Sequence, residues 1–217
     1  MKLCLFNYWR SSASQRVRIG LGLKGLAYEY LVVNIIAKGG GDQHGTAHVA
    51  RNPMAQVPAL EITEDDGRVH VLTQSLPILE FLDERFPEPP ILPRDPYLRA
   101  RARALAEIIN SGIQPLQNLT TTKQVKELGG DDAVWVRGFI ERGLRAYVAL
   151  ADDVRGRFSV GDAPTIADCA LVPQLASARR FGASMIGLEP LLEIEAACLA
   201  LPAFAAAAPD RQPDAVA

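Results

Sequence analysis

Five prolines fall within ten residues in the stretch PEPPILPRDP, residues 87–96. Proline lacks a backbone N–H and fixes φ, so neither a helix interior nor a central strand crosses such a stretch. The 217-residue chain is therefore expected to fold as two differently patterned parts that meet there. Before the prolines, strand and helix signals alternate. KLCLF (2–6) is a short apolar run that reads as a buried strand, and YEYLVVN (28–34) is rich in β-formers. PALEI (58–62) and RVHVL (68–72) flank TEDDG, a hairpin-turn signature. Between residues 11 and 24, Ala13, Val17 and Leu21 recur at helical spacing, with Ile19 and Leu23 beside them. SLPILEFLDERF (75–86) reads as a helix with Ser75 as its N-cap and Pro77 tolerated in the first turn. The three glycines at 39–41 read as a loop. After the prolines only helical patterns remain, strongest at 97–112, 131–155, 165–181 and 188–200. The expectation is an α/β domain at 1–86 in the order β-α-β-α-β-β-α, a linker at 87–95, and an all-helical domain at 96–217.

Composition excludes several classes of function. The formal net charge of −2 gives no electrostatic reason to expect nucleic acid or an anionic membrane as partner. No apolar run approaches the roughly 18 residues that span a bilayer. Cys4, Cys169 and Cys198 are far apart and odd in number, with no CxxC, so neither a disulfide framework nor a zinc site is expected, and a cytoplasmic location is. His44, His48 and His70 have no metal-like partners and carry no assigned chemistry.

Arg10, Ser11 and Ser12 stand where the first strand hands over to the first helix. The first turn of a helix carries unpaired N–H groups and a partial positive charge, a natural seat for an anion. The serines either cap the helix or also stabilise that anion, and Arg10 is either a solvated charge or a partner for a carboxylate. Arg16 and Arg18 lie two residues apart in the helix body and are expected at the surface or in ion pairs. Thr165 and Asp168 form an S/T-x-x-D variant of the capping box, which makes Asp168 a structural cap rather than a catalytic acid.

Six pieces, in order, carry a resemblance: RSSASQRVRIGL, NPMAQVPAL, QSLPILEFL, GIQPLQNL, TIADCALVPQ and RRF. The chain resembles the zeta class of the glutathione transferase superfamily, which contains maleylacetoacetate and maleylpyruvate isomerases. The likeness runs from Lys2 to about Asp214. It implies a thioredoxin-like N-terminal domain, an all-α C-terminal domain, glutathione as cofactor, and a homodimer. One departure matters: the family's usual form is SSCxxRVRIAL, and here Ala13 holds the cysteine position and Gln15 the aromatic one that often precedes the arginine. No role for that cysteine carries over.

The resemblance also implies roles for single residues. Ser11 is the main donor to the glutathione thiolate, with Ser12 secondary. Val57, before a cis Pro58, pairs through its backbone with the cysteine of glutathione. Gln74 and Ser75 receive the γ-glutamyl carboxylate, Gln43 reaches the glycine carboxylate, and Gln114 contacts glutathione. Arg10, Asn118 and Arg180 bind the maleyl substrate. The implied reaction is cis–trans isomerisation of a maleyl substrate to its fumaryl isomer through a covalent thiolate adduct. Two alternatives use the same fold: a transferase or dehalogenase acting on small α-haloacids, and a non-catalytic binding protein. A glutaredoxin-like role is disfavoured because no cysteine heads the first helix.

Overall fold

The computed structural model describes residues 1–37 and 40–216; Gly39 of the glycine run lies outside them. The chain divides into two compact units, Met1–Pro90 with Pro202–Ala217, and Ile91–Leu201.

The first unit is built on a four-stranded sheet. Its strands are β1 (Lys2–Asn7), β2 (Glu29–Val32), β3 (Ala59–Thr63) and β4 (Val69–Thr73). They lie in the order β2-β1-β3-β4, with β1 and β2 parallel and the other pairings antiparallel. The β3–β4 hairpin closes through the expected turn, where Gly67 takes a φ of 85° that a side chain would oppose. Alternation along β1 sends Leu3 and Leu5 to one face and Cys4 and Phe6 to the other. Leu3 and Leu5 pack with Leu60 and Ile62 of β3, Val17 and Leu21 of α1 (Ser12–Leu23), and Ile78 and Leu82 of α3 (Ser75–Arg85). Each such side chain contributes about 1.5–3 kcal/mol on burial. On the opposite face Arg51, at the end of α2 (Thr46–Arg51), lies 4.0 Å above the Phe6 ring.

Both arginines of the first helix correct the sequence expectation. Arg16 is fully buried and Arg18 is 2% exposed. Arg16 Nη1 donates to Ser75 Oγ at 3.1 Å. Arg18 donates to Asn7 Oδ1 (2.9 Å) and to the carbonyl oxygens of Tyr8 (3.3 Å), Trp9 (2.9 Å) and Ala207 (3.3 Å). A guanidinium is rarely buried unless its donors are used, and a row of carbonyls is the acceptor set that permits it. Lys24, just past α1, is likewise buried, with Nζ 2.6 Å from Asp83 and bonded to the carbonyls of Phe86 and Pro89.

The second unit contains α4 (Pro96–Asn110), α5 (Gln114–Gln117), α6 (Leu119–Glu127), α7 (Asp132–Ala151), α8 (Ile166–Arg180) and α9 (Glu189–Leu199). Asp95 caps α4 by accepting from Leu98 N–H, with Pro96 in the first turn. Val136, Ile140, Leu144, Tyr147 and Ala151 form the buried stripe of α7. Helix α8 is buried along most of its length and packs against α4. The capping box at its start is formed: Thr165 Oγ1 accepts from Ala167 N–H, and Asp168 accepts from the N–H groups of Thr165 and Ser159.

The remaining short helix, α10 (Pro202–Ala206), packs with α1 in the first unit rather than with the helices that precede it. A Cβ on Gly22 would stand 3.1 Å from Ala203 Cβ, so the glycine permits this close approach. The helical region expected at 96–217 thus differs from the compact unit, which begins at Ile91 and ends at Leu201.

Candidate active site

Ser11 is the N-cap of α1, and its Oγ accepts a hydrogen bond from Ser14 N–H at 3.2 Å. A hydroxyl has two lone pairs and one proton, so capping leaves the Ser11 proton available to donate. Capping and anion stabilisation are compatible at this atom. Ser12 is the first helical residue, and both serines are partly exposed. Arg10 is exposed, its guanidinium 5.4 Å from the Trp9 ring centroid. Ala13 and Gln15, the two departures from the family pattern, are buried.

The start of α3 makes a second seat for an anion. The N-cap is Gln74 and not Ser75, which is the first helical residue. Gln74 has φ 68° and ψ 126°, a conformation that costs a non-glycine residue about 1–3 kcal/mol and clusters at ligand sites. Pro77 has no N–H, so Ser75 and Leu76 supply the free donors of the first turn. Ser75 is 2% exposed, and its Oγ accepts from Arg16, which again leaves a hydroxyl proton to donate. Arg16 therefore joins the second turn of α1 to the first residue of α3.

Val57–Pro58 is cis, as the resemblance implies. Val57 precedes the first ladder pair, Ala59 with Thr73, so its peptide groups lie outside the β3–β4 ladder. The turn before it is held by two side chains that converge on Gln56: His48 Nε2 at 2.9 Å from its carbonyl oxygen and Asn52 Nδ2 at 2.8 Å. Because a carbonyl only accepts, His48 carries its proton on Nε2. Sequence reading left His48 without a role; its burial was the missing signal. Gln43 is buried, and its amide donates to the carbonyls of Ile35 and Gly40, so it ties its own loop together.

In the second unit, Gln114 begins α5, with Pro115 in the first turn of that short helix rather than inside a longer one. Asn118 is the N-cap of α6, without a side-chain capping bond. A buried amide pair missed by sequence reading lies close by in the chain: Gln117 and Gln174 exchange hydrogen bonds at 3.2 Å. At the end of α8 the two arginines separate. Arg179 forms a bidentate pair with Glu195, which raises its pKa through the hydrogen bonds and the neighbouring charge. Arg180 is exposed, 4.9 Å from the Phe181 ring centroid. Among the described residues no cluster of His, Cys, Asp and Glu is arranged to hold a metal ion.

Comparison with known proteins accords with these features. Residues 10–85 match the model of the glutathione S-transferase N-terminal domain. A maleylpyruvate isomerase from Ralstonia sp is 44% identical over 217 residues, covering 97% of this chain and 98% of the relative. A maleylacetoacetate isomerase from Rattus norvegicus is 44% identical over 213 residues, covering 98% and 95%. The crystal structure of a maleylacetoacetate isomerase from Anaeromyxobacter dehalogenans 2CP-1, with glutathione bound in its active site, superposes with a TM-score of 0.90 at 55% identity, covering 99% of this chain and 98% of that one.

Proposed function

The chain belongs to the glutathione S-transferase family, in the zeta class of maleylacetoacetate and maleylpyruvate isomerases, and from that membership we propose how its own residues act. It is an enzyme, a glutathione-dependent cis–trans isomerase that converts a maleyl dicarboxylate to its fumaryl isomer. Glutathione, when bound, supplies a thiolate nucleophile that adds to the activated cis double bond and departs after rotation. The residues fit such a cofactor, and the observation that carries the reading is Ser11, whose oxygen is engaged as a helix cap while its proton remains to be donated.

In this reading Ser11 donates to the thiolate and the N-terminus of α1 adds its partial positive charge, both of which favour the ionised sulfur. Ser12 is a second donor. The N–H groups of Ser75 and Leu76, the Ser75 hydroxyl and the Gln74 amide hold the γ-glutamyl carboxylate. The Val57 peptide pairs with the cysteinyl backbone and Gln114 contacts the rest of the tripeptide, whereas Gln43, expected at the glycine carboxylate, spends its amide protons on the carbonyls of Ile35 and Gly40 and holds its own loop instead. Arg10 and Arg180 each take a substrate carboxylate, a task suited to planar guanidinium donors, and Asn118 is a further substrate contact. Positioning and charge stabilisation are thus the protein's contribution. The same reading makes the enzyme a cytoplasmic homodimer, which the three free cysteines suit.

The test is an initial-rate assay of the purified protein on maleylacetoacetate and maleylpyruvate, each with and without glutathione. Turnover only with glutathione is expected, and the faster substrate names the physiological one. Equal rates without glutathione would remove the reading. Ser11→Ala is expected to lower turnover sharply with the fold intact.

A further inference from the structure

Between the end of β1 at Asn7 and the cap at Ser11, residues 8–10 belong to no strand or helix. A catalytic donor must be held within about 0.5 Å of its productive position, which an unsupported loop does not achieve. The loop is closed locally by the Ser11 N–H, which donates to the Tyr8 carbonyl at 3.1 Å, and the support for Trp9 between them comes from far along the chain. Asp214 Oδ2 accepts from Trp9 N–H at 3.1 Å, and its Oδ1 accepts from the Tyr30 hydroxyl on β2. Tyr30 is the register partner of Leu5 in β1, so the carboxylate is tied to the sheet from which the loop departs. The other side of the same residue, the Trp9 carbonyl, accepts from Arg18, and Arg18 also reaches Ala207. Both peptide groups of Trp9 are therefore held by a network that ends in residues 202–216. That segment is itself anchored: Phe204 is fully buried, and Gln212 Nε2 bonds the carbonyls of Ala206 and Ala208, each at 2.8 Å.

We propose that the segment at 202–216 is part of the apparatus that sets the Ser11 hydroxyl, with Asp214 as the positioning residue acting through Trp9. The inference rests on the reading of Ser11 as thiolate donor. Asp214 touches neither cofactor nor substrate in this scheme; it fixes the loop two residues ahead of the donor.

The experiment measures the thiol pKa of bound glutathione by ultraviolet titration, with glutathione affinity and turnover, in wild type, Ser11→Ala, Asp214→Ala, Tyr30→Phe and Asp210→Ala. Direction is informative. Removing a nearby negative charge would by itself favour the thiolate and lower its pKa, whereas misplacing the Ser11 donor raises it. Asp214→Ala is expected to raise the thiol pKa and lower turnover by about tenfold or more, with glutathione affinity nearly constant. Tyr30→Phe, which changes no charge at neutral pH, is expected to move the pKa the same way by less, and it decides the matter if Asp214→Ala does not fold. Asp210→Ala, exposed on the same segment, is expected to change nothing. An unmoved or lowered pKa in Asp214→Ala, with Ser11→Ala shifted upward, overturns the positioning role alone. An unmoved pKa in Ser11→Ala overturns the thiolate reading, and this inference with it.

Discussion

At the scale of single residues, the proposed chemistry depends on atoms that do two things at once. Ser11 and Ser75 each accept one hydrogen bond and keep a proton to give. In the proposed site, replacing Ser75 by Ala removes a donor to a carboxylate, a contact worth about 1.5–3 kcal/mol, and calorimetry is expected to show glutathione affinity lowered accordingly. Gln74 allows a cleaner separation. Gln74→Gly accepts φ 68° without strain, so the fold is expected to hold or gain stability while glutathione binds more weakly. Unchanged affinity in both variants would remove α3 from the binding site. Arg179 and Arg180 give a matched pair. Arg180→Lys is expected to raise the Michaelis constant for the maleyl substrate with glutathione affinity steady. Arg179→Lys, which alters only the pairing with Glu195, is expected to leave that constant alone. Equal small effects at both would assign the arginines to the helix dipole instead. The places of these residues at helix boundaries were legible because short-range rules apply there, although the cap of α3 falls on Gln74, one residue before the expected Ser75. The buried Arg16 and Arg18 were not: charged residues in a helix body ordinarily mark a solvated face, and only distant acceptors, the Ser75 hydroxyl for Arg16 and the oxygens of Asn7, Tyr8, Trp9 and Ala207 for Arg18, reverse that expectation.

At the scale of elements, most of the fold could be read from periodicity and caps. Strands β1 to β4 and helices α1, α3, α4, α7, α8 and α9 fall within a few residues of expectation. The helices that escaped lack a long apolar stripe. Helix α6 buries none of its residues, so it has no apolar stripe to betray it, and α5 and α10 span only four and five residues, while the six-residue α2 fills the helix that the expected element order placed, without bounds, between β2 and β3. Helix α8 was marked by its cap, and the cap can be tested. Thr165→Ala is expected to cost about 1 kcal/mol. Asp168→Ala leaves the N–H groups of Ser159 and Thr165 buried without an acceptor, each worth about 1–3 kcal/mol, and is expected to cost more than Thr165→Ala. Urea unfolding with an unchanged slope and a lowered midpoint checks both. Asp168 faces no substrate in the proposed scheme, so the surviving folded fraction is expected to keep its specific activity.

At the scale of the whole molecule, a ligand that binds only the folded chain stabilises it. Glutathione at a hundred times its dissociation constant is expected to add about 2.7 kcal/mol, seen as a raised thermal midpoint, and Ser75→Ala is expected to need more glutathione for the same rise. No helix among the described residues is long and apolar enough to cross a membrane. What the sequence could not disclose at this scale is the return of residues 202–216 to the first unit, because Trp9 and Asp214 are 205 positions apart and no local pattern joins them. That return has a consequence for biosynthesis. A ribosome releases the first ninety residues while the segment that braces their key loop is still untranslated, and the entire helical unit must be made before it emerges. The nascent sheet can form early, but in the proposed scheme Trp9 waits for Asp214, so competence for chemistry arrives only once the helical unit and residues 202–216 have been made.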